Sequence, residues 1–379
     1  MIARLGDVCT KITDGSHNPP QGIPHSEYLM LSSKNIYDDE ITLDDPRFLS
    51  SENYATENKR TQISPGDILL TIVGTVGRAA VVSNSIKNIC LQRSVAVIKP
   101  KSNLIDSRFL MYQLQSMRTH LEQEARGVAQ KGIYLKQVEN LQIKVPSVDE
   151  QLQVVKMLDK VSELVTLRKE QLAALDQLVK SRFIELFIGK GYPTKTVDDV
   201  SLGKGEYGAQ SASSAYDPTR PRYVRITDIN DDGALNDDVV SSANFDDDKQ
   251  YKLEYGDFMF ARMGATVGKT YAFIEGNQIF AGYLIRYRLN KGLINPRYLF
   301  WYTKLDEYWN WVKLNQSGAA QPGINAKKYG SLQVPLPPIE EQNAFAAFVE
   351  QTDKSKSAIQ RSLDELENLK KALMQKYFG

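Results

Sequence analysis

The sequence predicts an α+β protein made of two similar modules joined by two long helices with internal pseudo-two-fold symmetry. Two observations carry that expectation. Blocks of residues recur in the same order about 191 positions apart, and each half closes on a stretch patterned in heptads. The chain, at 379 residues, is also longer than a usual single domain. These patterns divide it into a first module over 1–145, a helix over 146–189, a second module over 190–336 and a second helix over 337–379.

The recurring blocks are short but ordered. Gly66-Asp67-Ile68-Leu69-Leu70 is answered by Gly256-Asp257-Phe258-Met259-Phe260, and Gly74-Thr75-Val76-Gly77-Arg78 by Thr266-Val267-Gly268-Lys269. Gly127 to Ile133 then matches Gly318 to Ile324, and Pro146 to Gln151 matches Pro337 to Gln342. Between the blocks the halves diverge widely, so a shared frame carries different surface loops. Strand-like runs rich in β-branched and aromatic residues lie at 28–32, 67–73, 79–82 and 94–98, and again at 223–227, 257–262, 270–274 and 284–289. Helical patterns occupy 107–124 and 296–314.

Residues 150–187 contain neither proline nor glycine. Alternating steps of four and three pick out Val154, Leu158, Val161, Val165, Arg168, Leu172, Leu175, Val179, Arg182 and Leu186, a coiled-coil seam. The second copy gives Phe345, Val349, Thr352, Lys356, Ile359, Leu363, Leu366, Lys370, Leu373 and Tyr377 in the same register. Prolines precede each run and Gly189 and Gly379 follow. A helix of roughly 38 residues spans about 57 Å and has to bury its seam, so the two helices are expected to pair. Internal two-fold symmetry favours the antiparallel arrangement. A second apolar set, Leu164, Leu167, Leu178 and Phe183, either packs on the modules or docks another protein's helices.

The composition restricts function. Lys and Arg number 47 against 46 Asp and Glu, too balanced for a chain that grips DNA tightly by itself. No run of about 18 apolar residues suggests a membrane span. The N-terminus lacks signal-peptide character, and two cysteines with three histidines cannot build a spaced zinc cluster or a disulfide framework, so a reducing cytoplasm is expected. Asn18-Pro19-Pro20-Gln21 has the start of an amino-methyltransferase signature, but a glutamine stands where the base-stacking aromatic belongs. Gly264 to Thr270 is one residue too short between its glycines for a phosphate-binding loop and leads into a strand-like run, so a tight strand connection is expected. No catalytic or metal constellation stands out.

In this combination the chain resembles the specificity subunit of type I restriction–modification systems. The carriers are Thr13-Asp14-Gly15-Ser16-His17, the paired Gly-Asp and Gly-Thr-Val-Gly blocks, and the P-x-x-(D/E)-E-Q entry to both helices. The resemblance spans nearly the whole chain. It implies a non-catalytic subunit in which each module is a target-recognition domain reading one half of a split site in double-stranded DNA. It implies helices that set the spacer and dock two methyltransferase (modification) subunits, which would carry S-adenosylmethionine, with restriction subunits in the full complex. This chain would hold no cofactor. One departure is that Lys204-Gly205-Glu206-Tyr207-Gly208 lacks the D-G-x-H block of the first half. An alternative is a duplicated protein-binding scaffold without a DNA role.

Base edges are read by Arg or Lys at guanine and by Asn or Gln at adenine. The candidates in the first half are Ser16, His17, Asn18, Arg78, Gln92, Arg93, Gln130, Lys131 and Lys136. In the second they are Arg262, Lys269, Gln321, Asn325, Lys327 and Lys328.

Overall fold

A computed structural model describes residues 1–125, 131–244, 249–318 and 322–379. The chain forms two compact units, one of Met1–Arg168 with Ser362–Gly379 and the other of Lys169–Arg361. Each unit therefore takes part of both long helices.

In the first unit, β1 (Ile2–Arg4) pairs antiparallel with β9 (Gln142–Lys144). A four-stranded sheet has the order β2-β8-β5-β6, from β2 (Cys9–Asp14), β5 (Ile68–Thr71), β6 (Ala79–Val81) and β8 (Val95–Pro100). Beside it β3 (Tyr28–Leu31) joins β4 (Arg47–Leu49) antiparallel and β7 (Ile89–Leu91) parallel. The first unit's helices are α1 (Ser51–Thr61), α2 (Ser107–Ser116), α3 (Arg118–Glu124), α4 (Leu135–Glu139) and the start of α5 (Val148–Phe187). The continuous apolar run of β5 has its reason here. Ile68 and Leu70 enter a core with Phe109, Leu110, Val154 and Leu158, while Leu69 enters another with Leu31, Leu91 and Val97. A strand buried on both faces loses the alternation of a half-exposed one.

The second unit repeats the plan. It contains β10 (Thr194–Thr196), β11 (Glu206–Tyr207), β12 (Ser213–Ala215), β13 (Arg222–Val224) and β14 (Ser241–Ala243). These are followed by β15 (Asp257–Ala261), β16 (Thr270–Ala272), β17 (Gln278–Phe280), β18 (Leu284–Arg288) and β19 (Gln333–Pro335). Its sheet order, β11-β18-β15-β16, matches that of the first unit, β10 pairs with β19, and β13 runs parallel to β17. The helices are the rest of α5, α6 (Pro296–Tyr302), α7 (Asp306–Asn315), α8 (Ala326–Gly330) and the first part of α9 (Ile339–Phe378), whose residues from Ser362 belong to the first unit. Each predicted single helix between the sheet and the second small strand pair is thus two helices, with breaks at Met117 and at Thr303 to Leu305.

Both long helices run 40 residues, each starting two residues inside the spans 146–189 and 337–379 that the sequence pattern predicts. Ser147 and Glu150 form a capping box at the start of α5, with Ser147 N–H donating to Glu150 Oε2 at 2.9 Å. Within each unit the helix segments pair antiparallel. In the first, Arg168 reaches Ser362 Oγ at 3.2 Å and Met157 lies 3.9 Å from the Tyr377 hydroxyl. In the second, Asp176 pairs with Lys356, and Phe183 and Phe187 meet the Phe345 ring with centroids 5.3 and 5.6 Å apart.

Of the seam residues, Val154, Leu158, Val161, Val179, Phe345, Val349, Thr352 and Leu363 are buried. Val165, Leu172, Leu175, Ile359, Leu366 and Leu373 are only half-buried. Val154, Leu158, Val179, Phe345 and Val349 also join module cores, which adds cover that a two-helix pair alone, shielding one side of each helix, does not give. The second apolar set divides. Phe183 is fully buried against Tyr298 and Phe345, Leu164 is half-buried, and Leu167 and Leu178 remain 45% and 50% exposed.

Candidate nucleic-acid interface

The two entry signatures of the long helices are internal fixtures. Gln151 is fully buried; it accepts the Asp106 N–H at 2.7 Å and donates to the carbonyls of Leu104 and Pro146, both at 3.0 Å. Gln342 makes the corresponding three bonds to Asn295, Leu293 and Pro337. Each glutamine ties the helix entry to the turn before α2 or α6, which orients the module on its own helix segment.

At one end of the first unit's sheet, several loops converge through backbone hydrogen bonds. Ser16 N–H donates to Leu91 O at 2.7 Å, and Arg93 N–H returns to Ser16 O at 2.8 Å. Ile72 N–H donates to Ser94 O at 2.9 Å, and Gly74 N–H to Lys131 O at 3.0 Å. One continuous ladder therefore joins the end of β2, the turn after β7, the β5–β6 connection and the segment before α4. It gathers Ser16, Gln92, Arg93 and Lys131, residues scattered along the sequence. A glycine is required at position 15, since a Cβ there would lie 2.1 Å from the Leu91 carbonyl oxygen.

The second unit has the same ladder. Ala209 N–H donates to Phe280 O at 2.9 Å, Gly282 N–H to Ala209 O at 2.8 Å, Arg262 N–H to Tyr283 O at 3.0 Å, and Gly264 N–H to Pro322 O at 2.9 Å. Gly208 takes the place of Gly15, with a Cβ that would lie 2.3 Å from Ala281 O. Tyr207-Gly208-Ala209-Gln210 is thus the structural counterpart of Asp14-Gly15-Ser16-His17. The D-G-x-H block missing from the second half is present in shape, with only its glycine retained in sequence.

The side chains presented on the two ladders differ. In the first unit the exposed His17 bonds the buried Asp14 at 2.7 Å, and Arg60 holds the other oxygen of that carboxylate. Asn18, Arg93, Lys131 and Lys136 are exposed, and no ion pair engages Arg93, Lys131 or Lys136 among the described residues. The Arg78 guanidinium lies 4.9 Å from the ring centre of Tyr37. In the second unit Arg262 lies 4.7 Å from the ring centre of Tyr207. Lys327 is exposed. Asn325 caps α8 by accepting the Lys328 N–H at 2.9 Å, and Lys328 Nζ donates to Asn315 O at 2.7 Å. Lys269, the counterpart of Arg78, is committed inside the chain, to Asp231 at 2.8 Å and the Ile229 carbonyl at 3.2 Å. Gln130 and Gln321 lie outside the described residues.

Sequence reading missed Tyr37, Tyr207 and Gln210. An isolated exposed tyrosine or glutamine carries no periodic signal, and only the shared glycine of the two ladders could have pointed to Tyr207 and Gln210.

The resemblances to catalytic motifs dissolve into structure. The Pro19 and Pro20 carbonyls accept from Arg47 Nη1 at 3.4 and 2.8 Å, so the Asn-Pro-Pro segment is occupied within the chain. Gly264 to Thr266 form one 3-10 turn in the connection leading to β16. Among the described residues no group of three or more His, Cys, Asp and Glu is placed to hold a metal, and no helix is long and apolar enough to cross a membrane. An open cavity of about 1130 Å³ in the second unit is lined by Asp176, Arg297, Lys304, Asp353 and Lys356 among others. Arg297 pairs there with Asp353 at 2.8 Å and Lys356 with Asp176, while Lys304 Nζ donates to the Asp231 carbonyl at 2.8 Å.

Comparison with known proteins agrees with this architecture. The EcoBI specificity subunit of a type I restriction enzyme from Escherichia coli is 32% identical over 181 residues, which is 46% of this chain and 38% of that protein. The MjaVIII specificity subunit from Methanocaldococcus jannaschii is 22% identical over 350 residues, covering 86% of this chain and 81% of the relative. A crystal structure of the type I restriction–modification S subunit from M. genitalium shares the fold, with a TM-score of 0.59 at 14% identity over 100% of this chain and 96% of that one. A chain from a structural study of complex assembly and conformational transition in a type I system gives 0.57 at 19%, over 100% of this chain and 97% of its own. The profile of the type I restriction modification DNA specificity domain matches residues 1–177 and again 191–368, so the chain belongs to that family twice over.

Proposed function

We propose that this chain is the non-catalytic, sequence-reading subunit of a type I restriction–modification complex, each module reading one half of a split site in double-stranded DNA. One observation carries the reading: the same hydrogen-bonded ladder recurs in both units, but it presents Ser16, His17 and Arg93 in one and Ala209, Gln210 and Gly282 in the other. A rigid frame with exchanged side chains at its edge is what reading two different base sequences requires. Family membership does not favour the alternative of a protein-binding scaffold.

The chemistry would lie with partners. Two methyltransferase subunits binding S-adenosylmethionine would dock along the long helices, where Leu167 and Leu178 stay exposed, and restriction subunits would complete the assembly in the cytoplasm. Phosphate contacts supplied by those partners would offset the near-neutral charge of this chain. The helices, about 60 Å long at 1.5 Å per residue, would set the number of unread base pairs.

Mapping methylated bases in the host with and without the gene tests the reading. Loss of modification at one split motif is expected, and an unchanged methylation pattern would refute it. Inserting seven residues in register into both helices is expected to change the unread spacer and leave both half-sequences intact. A changed half-sequence would show that the helices do more than set spacing.

A further inference from the structure

Tyr207 occupies an unusual position at the edge of the second unit. Its strand, β11, is two residues long and is held to β18 by a buried cation. Arg286 is 1% exposed and pairs with Glu206 and with Asp257, while donating to the carbonyls of Lys252 at 2.8 Å and Gln250 at 3.1 Å. A buried guanidinium is tolerated only when its donors are occupied, so this set of bonds fixes Glu206 firmly and the adjacent Tyr207 with it. The Tyr207 hydroxyl accepts the N–H of Ala326 at 3.2 Å, which ties the ring to the start of α8. Tyr207 remains 42% exposed, and Arg262 rests over its ring with the guanidinium carbon 4.7 Å from the ring centre. A single long contact, 3.5 Å to Gly282 O, engages the Arg262 head, and no carboxylate pairs with it among the described residues.

A guanidinium lying over an aromatic face keeps its in-plane N–H edge available and loses little further freedom on binding. We propose that Tyr207 is a positioning residue that orients Arg262 toward the O6 and N7 edge of a guanine in the half-site read by the second module. The inference rests on the function proposed above.

The test compares methylated motifs in a host whose partner genes are intact, expressing the full chain or its Arg262→Ala, Tyr207→Ala and Tyr207→Phe variants. The readout is the methylated fraction at sites differing in one base. Arg262→Ala is expected to erase a guanine preference at one position of one half-sequence. Tyr207→Ala is expected to weaken that preference at the same position about ten-fold, within the range for one bidentate base contact. Tyr207→Phe, which keeps the ring, retains most of the preference, and the other half-sequence is unaffected in all variants. If Arg262→Ala relaxes the motif and Tyr207→Ala leaves it intact, the positioning role falls and base reading stands. If Arg262→Ala leaves the motif intact, both fall. Uniform loss of methylation in Tyr207→Ala, or Tyr207→Phe behaving like it, also overturns the proposal, because either points to support of the fold rather than to a ring that orients Arg262.

Discussion

The fully buried side chain of Gln342 accepts the backbone N–H of Asn295 at 2.9 Å, and its own amide group donates to Leu293 and Pro337. Removing this side chain strands one buried donor and two acceptors, each of which costs on the order of 1–3 kcal/mol when unpaired. Gln342→Leu is therefore expected to destabilise the second unit by about 3 kcal/mol. Chemical denaturation followed through its tryptophans, Trp301, Trp309 and Trp311, measures this; a loss below about 1 kcal/mol would mean that water or relaxation replaces the bonds.

Arg78 and Lys269 hold equivalent places in the two ladders but differ in commitment. Arg78 lies over Tyr37, whereas the Lys269 ammonium is held by Asp231 and the Ile229 carbonyl. Arg78→Ala is expected to cost about 1–3 kcal/mol of discrimination at one base of one half-site. Lys269→Ala is expected to alter base preference little. Binding of the assembled complex to duplexes with permuted half-sites distinguishes them; a larger loss of preference for the lysine variant would reverse the assignment.

Cys9 and Cys90 are free and buried, and burial pushes both thiols up to about 12. Since the thiolate is the reactive form, neither is expected to react with a maleimide at neutral pH in the native chain. Both react after unfolding. Labelling of native protein followed by mass spectrometry checks this, and rapid modification of either would show that its surroundings open readily.

Burial outweighs the neighbouring Asp232 and Asp231 carboxylates at Lys304 and lowers its amine from 10.5 to about 8. Below that value the lysine is charged in both folded and unfolded chains, and the folded state bears the full cost. Between about 8 and 10.5 the unfolded chain binds more protons, so this contribution makes stability rise with pH. Relative to Lys304→Met, the wild type is expected to gain about 2–3 kcal/mol between about pH 7 and pH 10. Denaturant titrations of both proteins at the two pH values test this, and a constant difference would show an amine with an ordinary pKa.

Much of the fold was legible because it is written locally. The β5 and β15 runs, the helix entries and the heptad register depend on neighbours a few residues away, and they recur in both halves. The pairs β1–β9 and β10–β19 were not legible, since strands of three residues carry no usable period and their partners lie far along the chain. The polar helix α1, capped by Ser50, was missed for the complementary reason: it has no apolar face to display.

The sequence alone determined the duplication, the paired helix registers and a pool of candidate contact residues, because each rests on residue identity and spacing. Tertiary structure alone decided which candidates share a surface. It brought Ser16, Arg93 and Lys131 onto one ladder, and it drew Lys269 into an ion pair with Asp231. It also showed Tyr207-Gly208 to be the counterpart of Asp14-Gly15, an equivalence set by how closely one backbone passes another. Only a glycine permits that approach, and the side chains around it were free to diverge.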